Sequence, residues 1–405
     1  MTATPTTVRP LWIVLLAAGI IVGMAMGLRQ VMGLYLRPLS MDLGLGREPF
    51  SNAMAMSNLI NGAGAILAGA VADRYGAGRV IVAGTICTVL GLLSMYAAHS
   101  PMDLMIAGLL LGLGVTGTGI NSLVGAVGRA APADKRTAAI ASLGMASGIG
   151  GFLAFPYAHT LMEIYGWQVS LVVLACTALA MMPLGLALRG RPQPAAPGVK
   201  VQTLKEAFAE AFAHPSFWLL TAGFFVCGFH VAFYSVHLPA FVQDQGLNAW
   251  VGVWSLMAVG IANIIGTFLA GQSARIMQKR ISLTLIYLAR TVLFLGLLYL
   301  PITPFTVIAI SALLGLFWLS TVPLTSSLVA TFFGTGWMSM LFGFVFLSHQ
   351  VGSFLGLYAA GRVYDLTKSY DLMWWISAGL GLFAALIHWP IRERPVARVL
   401  AEQRA

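Results

Sequence analysis

Twelve apolar runs divide this chain, near residues 11–36, 50–71, 80–98, 104–127, 138–162, 167–188, 216–241, 249–273, 281–300, 304–330, 339–363 and 372–390. Most have the roughly 18 to 25 residues that cross ~30 Å of hydrocarbon at ~1.5 Å per residue. In lipid the backbone finds no water, so every N–H and C=O must be satisfied within the segment, and runs of this kind can only be helices. Composition agrees, since 59% of the 405 residues are hydrophobic and only 9% are charged. No soluble domain of this size has that balance. The expected fold is an all-α membrane protein of twelve transmembrane helices.

Orientation follows from the cations. With both termini inside, 17 of the 23 Lys and Arg residues are cytoplasmic, Arg37, Arg47, Arg362 and Lys368 are outside, and Arg29 and Arg290 lie within the membrane. That bias predicts a multi-pass protein of the cytoplasmic membrane with both termini cytoplasmic. The formal net charge of +10 then reads as topology and as a preference for anionic lipid headgroups, with no need for nucleic acid. The first run continues past Arg29 to Leu36, longer than a secretory signal, so an uncleaved first helix is expected. Cys87, Cys176 and Cys227 all fall in apolar runs without metal-type spacing, so no disulfide, metal or other cofactor is expected.

The chain repeats itself. At an offset of 202, Asn61, Gly64, Leu67, Ala68, Gly69 and Ala72 recur as Asn263, Gly266, Leu269, Ala270, Gly271 and Ala274, and the same offset sets Gly150 and Phe152 over Gly352 and Phe354. This implies two pseudo-symmetric six-helix bundles in parallel repeat, 1–188 and 215–405, with a substrate site where they meet near the midplane. Between them, 189–200 carries three prolines and three cations, and 201–213 sets Leu204, Phe208 and Phe212 opposite Lys205, Glu206 and Glu210. The segment 189–214 reads as a cytoplasmic linker with an amphipathic helix on the membrane face.

The loop after the second run holds Gly69, Asp73, Arg74, Gly76 and Arg79. Their spacing matches the signature G-x-x-x-D-R-x-G-x-x-R of the major facilitator superfamily, which the chain resembles along its whole length. The resemblance implies that these five residues form a cytoplasmic conformational latch without substrate contact. A degenerate partner runs from Gly271 to Arg280. A narrower likeness is carried by Gly27-Leu28-Arg29-Gln30-Val31-Met32-Gly33, by Tyr287 to Arg290, and by Ser348 to Gly356. These look like bacterial carriers of the monocarboxylate-porter and oxalate–formate-antiporter group, in which a membrane-buried cation binds the substrate carboxylate. The chain departs from the monocarboxylate porters in the eighth run, where Asn263 stands in the middle and no arginine is evident.

Arg29 shares a helical stripe with Val22, Met26, Gly33 and Leu36, so Gly33 leaves room beside it for a ligand. The alternative is that the first helix ends near Leu28 and Arg29 snorkels outward. Arg290 is the deepest charge by sequence and is either a substrate ligand or a structural arginine bonded to carbonyls, Asn263 or a tyrosine. His230, Tyr234 and His237 form one polar face of the seventh run, and His230 neighbours Val231, the repeat counterpart of Arg29. Asn121, His349 and Gln350 complete the candidate substrate site, and His230, His237 and His349 are the proton-coupling candidates. Asn61 and Asn263 read better as bonds between helices.

All thirteen acids lie in loops or near helix ends, so neither the buried carboxylate of a sugar–proton carrier nor that of a cationic-drug carrier is present. Nucleotide-binding loop, zinc spacing and nucleophile elbow are likewise missing, which disfavours an enzyme. An unpaired guanidinium at membrane depth costs several kcal/mol, so two of them imply an anionic counter-ion, read as substrate. The expected function is secondary active transport of small organic anions, above all monocarboxylates, by alternating access, proton-coupled or by exchange, in a monomer. Arg29 is the expected carboxylate clamp. Proton-driven efflux of drugs or metabolites and a transport-inactive membrane sensor are the alternatives.

Overall fold

The computed structural model describes residues 10–132, 136–188, 203–334 and 337–402. Every regular element among them is helical. The first half holds α1 (Leu11–Gln30), α2 (Met32–Asp42), α3 (Arg47–Tyr75), α4 (Ala77–Tyr96), α5 (Pro101–Thr118), α6 (Ile120–Ala130), α7 (Arg136–Leu179) and α8 (Met181–Ala187). The rest holds α9 (Leu204–Phe212), α10 (Pro215–Asp244), α11 (Ala249–Ile276), α12 (Lys279–Tyr299), α13 (Pro304–Leu316), α14 (Thr321–Phe333), α15 (Met338–Thr367), α16 (Asp371–His388) and α17 (Ala397–Glu402).

Ten stretches among the described residues are long and apolar enough to cross a bilayer. One of them, Ser142–Gly185, runs for 44 residues and breaks at Gly166, so it holds two crossings. With the 29 residues of α3, the described helices accommodate the twelve expected crossings. The protein is a multi-pass, all-α membrane protein.

Packing divides into two compact units, Met1–Val31 with Gly64–Ala97 and Leu109–Pro194, and Met32–Ala63 with Ala98–Gly108 and Ala195–Ala405. In the first, α1 lies on α7 through small residues, so closely that a Cβ on Gly150 would run into the backbone of Gly23. In the second, α10 lies on α15 in the same manner, and a Cβ on Gly352 would run into the carbonyl of Phe225. Lipid offers helices no hydrophobic drive to associate, so close backbone approach at small residues has to supply the contact. The second unit adds an aromatic core in which Phe217, Phe224, Phe233, Phe294 and Trp374 are almost wholly buried.

The amphipathic helix of the linker is present as α9. Thr203 and Glu206 close a capping box at its start, and Phe208 and Phe212 lie 6.4 and 5.1 Å from the ring of Phe344. The proline-rich residues 189–202 are outside the described residues.

Candidate functional site

Arg29 occupies the last turn of α1 and is half-buried. The apolar stretch does not end there: it continues through α2 to Asp42, which places Arg29 in the interior of a 32-residue crossing interrupted near Val31. The helix itself ends at Gln30, two residues past Leu28, and the apolar stretch resumes in α2. The space left by Gly33 is taken by protein, because a Cβ there would stand 2.5 Å from the carbonyl oxygen of Ser235 and 2.9 Å from Cα of Val236. Gly33 thus lets α2 approach α10, and the opening that its spacing suggested is filled by backbone.

The polar stripe of α10 is held inside the second unit. His230 bonds through Nε2 to the carbonyl of Ser377 at 2.9 Å and lies 4.7 Å from the ring of Phe294, while its Nδ1 has no partner among the described residues. Ser311 donates its hydroxyl proton to the carbonyl of Val307, so Tyr234 donates to Ser311 Oγ at 2.7 Å. On α15, His349 Nδ1 donates to Gln350 Oε1 at 3.0 Å, and Gln350 Nε2 donates to the carbonyl of Asn58 at 3.0 Å. The side chain of Asn121 is outside what the structure describes.

Arg290 is 1% exposed. Its Nη2 donates to the carbonyls of Phe317 and Trp318, at 2.5 Å each, and lies 3.6 Å from Cys227 Sγ, and its guanidinium stands 5.3 Å from the ring centre of Tyr287. Phe317 and Trp318 fall in the gap between α13 and α14, where helical hydrogen bonding lapses. Arg290 satisfies the carbonyls released there, and Asn263 Oδ1 accepts from Leu319 N at 2.9 Å, which satisfies a freed N–H. Nη1 has no hydrogen-bond partner among the described residues, and no described carboxylate pairs with this arginine.

A second cluster escaped sequence reasoning. Arg47, at the start of α3, pairs with Asp244 at the end of α10 through two bonds of 2.6 Å, donates to Tyr370 Oη at 2.8 Å, and lies 3.6 Å over the ring of Tyr364. Asp365 accepts the backbone N–H groups of Arg47 and Glu48 at 2.8 Å, which caps α3. Arg37 reaches the same Asp244 at 3.6 Å, and a cavity of about 370 Å³ lies beside it, lined by Arg37, Ser40, Asp244 and Lys368. These residues are far apart in sequence and counted only as loop charges. One signal was available: Asp42-Leu43-Gly44-Leu45 recurs at offset 202 as Asp244-Gln245-Gly246-Leu247, and Gly44 and Gly246 share a left-handed φ of 62° and 74°.

Of the five signature residues, Gly76 precedes α4 with φ 91°, a conformation that penalises any side chain, and Arg79 is exposed. The side chains of Gly69, Asp73 and Arg74 are outside what the structure describes.

Ten long apolar stretches among the described residues, with Arg290 buried between the helices, describe a polytopic membrane protein. The chain belongs to the Major Facilitator Superfamily, which it matches over residues 11–357; this is a family of transporters, not of enzymes. It is 27% identical to mouse monocarboxylate transporter 11 over 262 residues, 62% of this chain and 56% of that protein, so the match spans about half the length of the mammalian relative. An uncharacterized transporter of Bacillus subtilis (strain 168), YcxA, is 24% identical over 91% of this chain and 92% of its own. A gallate transporter of Pseudomonas putida is 29% identical over 38% of this chain and 34% of its own. Among solved structures, the nucleoside transporter NupG superposes with a TM-score of 0.80 at 14% identity, covering 93% of this chain and 99% of that one.

Proposed function

We propose that this chain carries a small organic anion, above all a monocarboxylate, across the cytoplasmic membrane by alternating access, with both termini on the cytoplasmic side and the bundles 1–188 and 215–405 as the moving halves. The observation that carries this reading is Arg29, held in the interior of a 32-residue apolar crossing at the interruption between α1 and α2. A guanidinium cannot shed its charge, and its planar fork offers a carboxylate two parallel N–H donors. Broken helices are where carriers of this kind expose polar groups to substrate. The partial likeness to monocarboxylate and gallate transporters supports the same substrate class.

Counterflow of radiolabelled small carboxylates in proteoliposomes tests the proposal. Wild-type protein is expected to exchange a monocarboxylate, Arg29→Ala to lose exchange at least tenfold while remaining folded, and Arg29→Lys to restore little, because a point charge does not reproduce a bidentate grip. Near wild-type exchange by Arg29→Ala removes the clamp.

A further inference from the structure

The hydrogen bonds around His237 have a single consistent direction. Ser51 Oγ donates its one proton to the carbonyl of Arg47 at 2.7 Å, so at the 3.2 Å contact with His237 Nε2 the ring nitrogen has to be the donor. A neutral histidine that donates from Nε2 accepts at Nδ1. The partner at Nδ1 is Tyr370 Oη, 2.8 Å away, which therefore donates to it. Tyr370 Oη in turn accepts from Arg47 Nη1 at 2.8 Å. The path closes on itself: guanidinium of Arg47, hydroxyl of Tyr370, imidazole of His237, hydroxyl of Ser51, carbonyl of Arg47. Every member is at least nine-tenths buried: Arg47 is 6% exposed, Tyr370 2%, and Ser51 and His237 0%.

The ring ties the start of α3 to α10 and to the residue ahead of α16, and the Arg47–Asp244 pair and the Asp365 cap reinforce the same junction. We infer that this ring is a latch that holds one mouth of the carrier shut, and that a proton taken up by His237 Nδ1 releases it. The inference rests on the transport reading above, which puts this end on the outer face and assigns α3 and α10 to different moving halves.

A proton arriving from the outer water adds to the Nδ1 lone pair. Nδ1 then carries an N–H that faces the Tyr370 oxygen, the tyrosine keeps its own proton but loses the acceptor for it, and a second cation stands one hydroxyl away from Arg47. The proton returns to water when the ring re-forms. The charged and titratable groups of this junction are Arg47 and Glu48 from α3, Asp244 from the helix of His237, Tyr364 and Asp365 from α15, and Tyr370 ahead of α16, of which Tyr370 touches the His237 ring directly. Asp244 is committed to Arg47 and Asp365 to the α3 backbone, so neither is left to neutralise an imidazolium.

The test is a labelling assay that needs no substrate. Met54, one turn beyond Ser51 on α3 and 5% exposed, is replaced by cysteine in the full-length protein in proteoliposomes, and its modification by a membrane-impermeant maleimide is followed from outside, with labelling of Cys87, Cys176 and Cys227 subtracted using the parent. Labelling should accelerate at least threefold as external pH falls from about 7.5 to about 5.5, the range around an ordinary histidine. His237→Asn places a neutral acceptor where Nδ1 stands, and should leave labelling slow and flat across that range. Tyr370→Phe breaks the ring and should label fast at both pH values. A pH step that survives in His237→Asn, or slow labelling of Tyr370→Phe, overturns the latch, whereas failed carboxylate counterflow with an intact pH step overturns only the substrate class.

Discussion

A guanidinium in the hydrocarbon interior has to earn its place, and Arg290 does so by completing a backbone that α13 and α14 leave unfinished. Its bonds to the carbonyls of Phe317 and Trp318 are charge-assisted, and their removal strands two buried acceptors. Arg290→Ala should destabilise the protein by about 2–4 kcal/mol, read from its unfolding midpoint in mixed micelles, with Arg290→Lys recovering less than half. An unchanged midpoint would show that the carbonyls find water or another donor. The sequence marked Arg290 as the deepest charge but left its role open between ligand and structure. What it could not show is where the tenth run breaks, since Phe317-Trp318-Leu319-Ser320 holds neither glycine nor proline. Arg47 was less legible still, because its partners Asp244, Asp365 and Tyr370 converge through tertiary packing alone.

Among the elements, α9 shows how much local chemistry can be read directly. Spacing alone sets Glu206 on the polar face of an amphipathic segment, and in the structure Thr203 and Glu206 cap that helix reciprocally, with Thr203 N donating to Glu206 Oε2 at 2.8 Å. Those bonds hold the Glu206 carboxyl below its ordinary range, the backbone N–H of Thr203 contributing most. A carboxyl lowered on folding stabilises above its unfolded pKa, and that contribution is lost as pH falls through the folded value. Protection factors of the Lys205 to Ala207 amides, taken relative to the intrinsic rate at each pH, should therefore fall in the acidic range below the usual carboxylate pKa, and Thr203→Ala should bring the same loss of protection at neutral pH. If acidification leaves these amides protected, the box does not hold the helix. The α10 stripe illustrates the opposite case. Helical spacing gathers His230, Tyr234 and His237 on one stripe, but which neighbours each meets depends on α12, α13, α16 and the loop before it.

At the scale of the molecule, the offset of 202 that appeared in sequence reappears as contact geometry. Gly150 over Gly23 and Gly352 over Phe225 are the same backbone approach, 202 residues apart at both partners. Gly150→Ala and Gly352→Ala should each cost about 1–3 kcal/mol by forcing backbones apart, and the double variant should show the sum, since the two contacts share no partner. Strong coupling in that cycle would mean that the two contacts are not independent. The all-helical, multi-pass architecture was legible because hydrocarbon admits so few backbone solutions. The partners of individual side chains were not, because parallel repeats diverge where polar groups meet.

One of those divergences changes the charge of the two halves. Trp318 is the repeat counterpart of Thr116, and the carbonyl of each lies beside a break in its crossing. In the first copy the hydroxyl of Ser122 donates to Thr116 at 3.0 Å; in the second, Arg290 donates to Trp318, and the position matching Arg290 is Thr88. One inherited gap has been filled by a neutral group in one copy and by a full positive charge in the other. A half-length ancestor working as a symmetric pair would have carried that charge twice or not at all. A single chain whose halves have diverged carries it once, at Arg290 and not at Thr88.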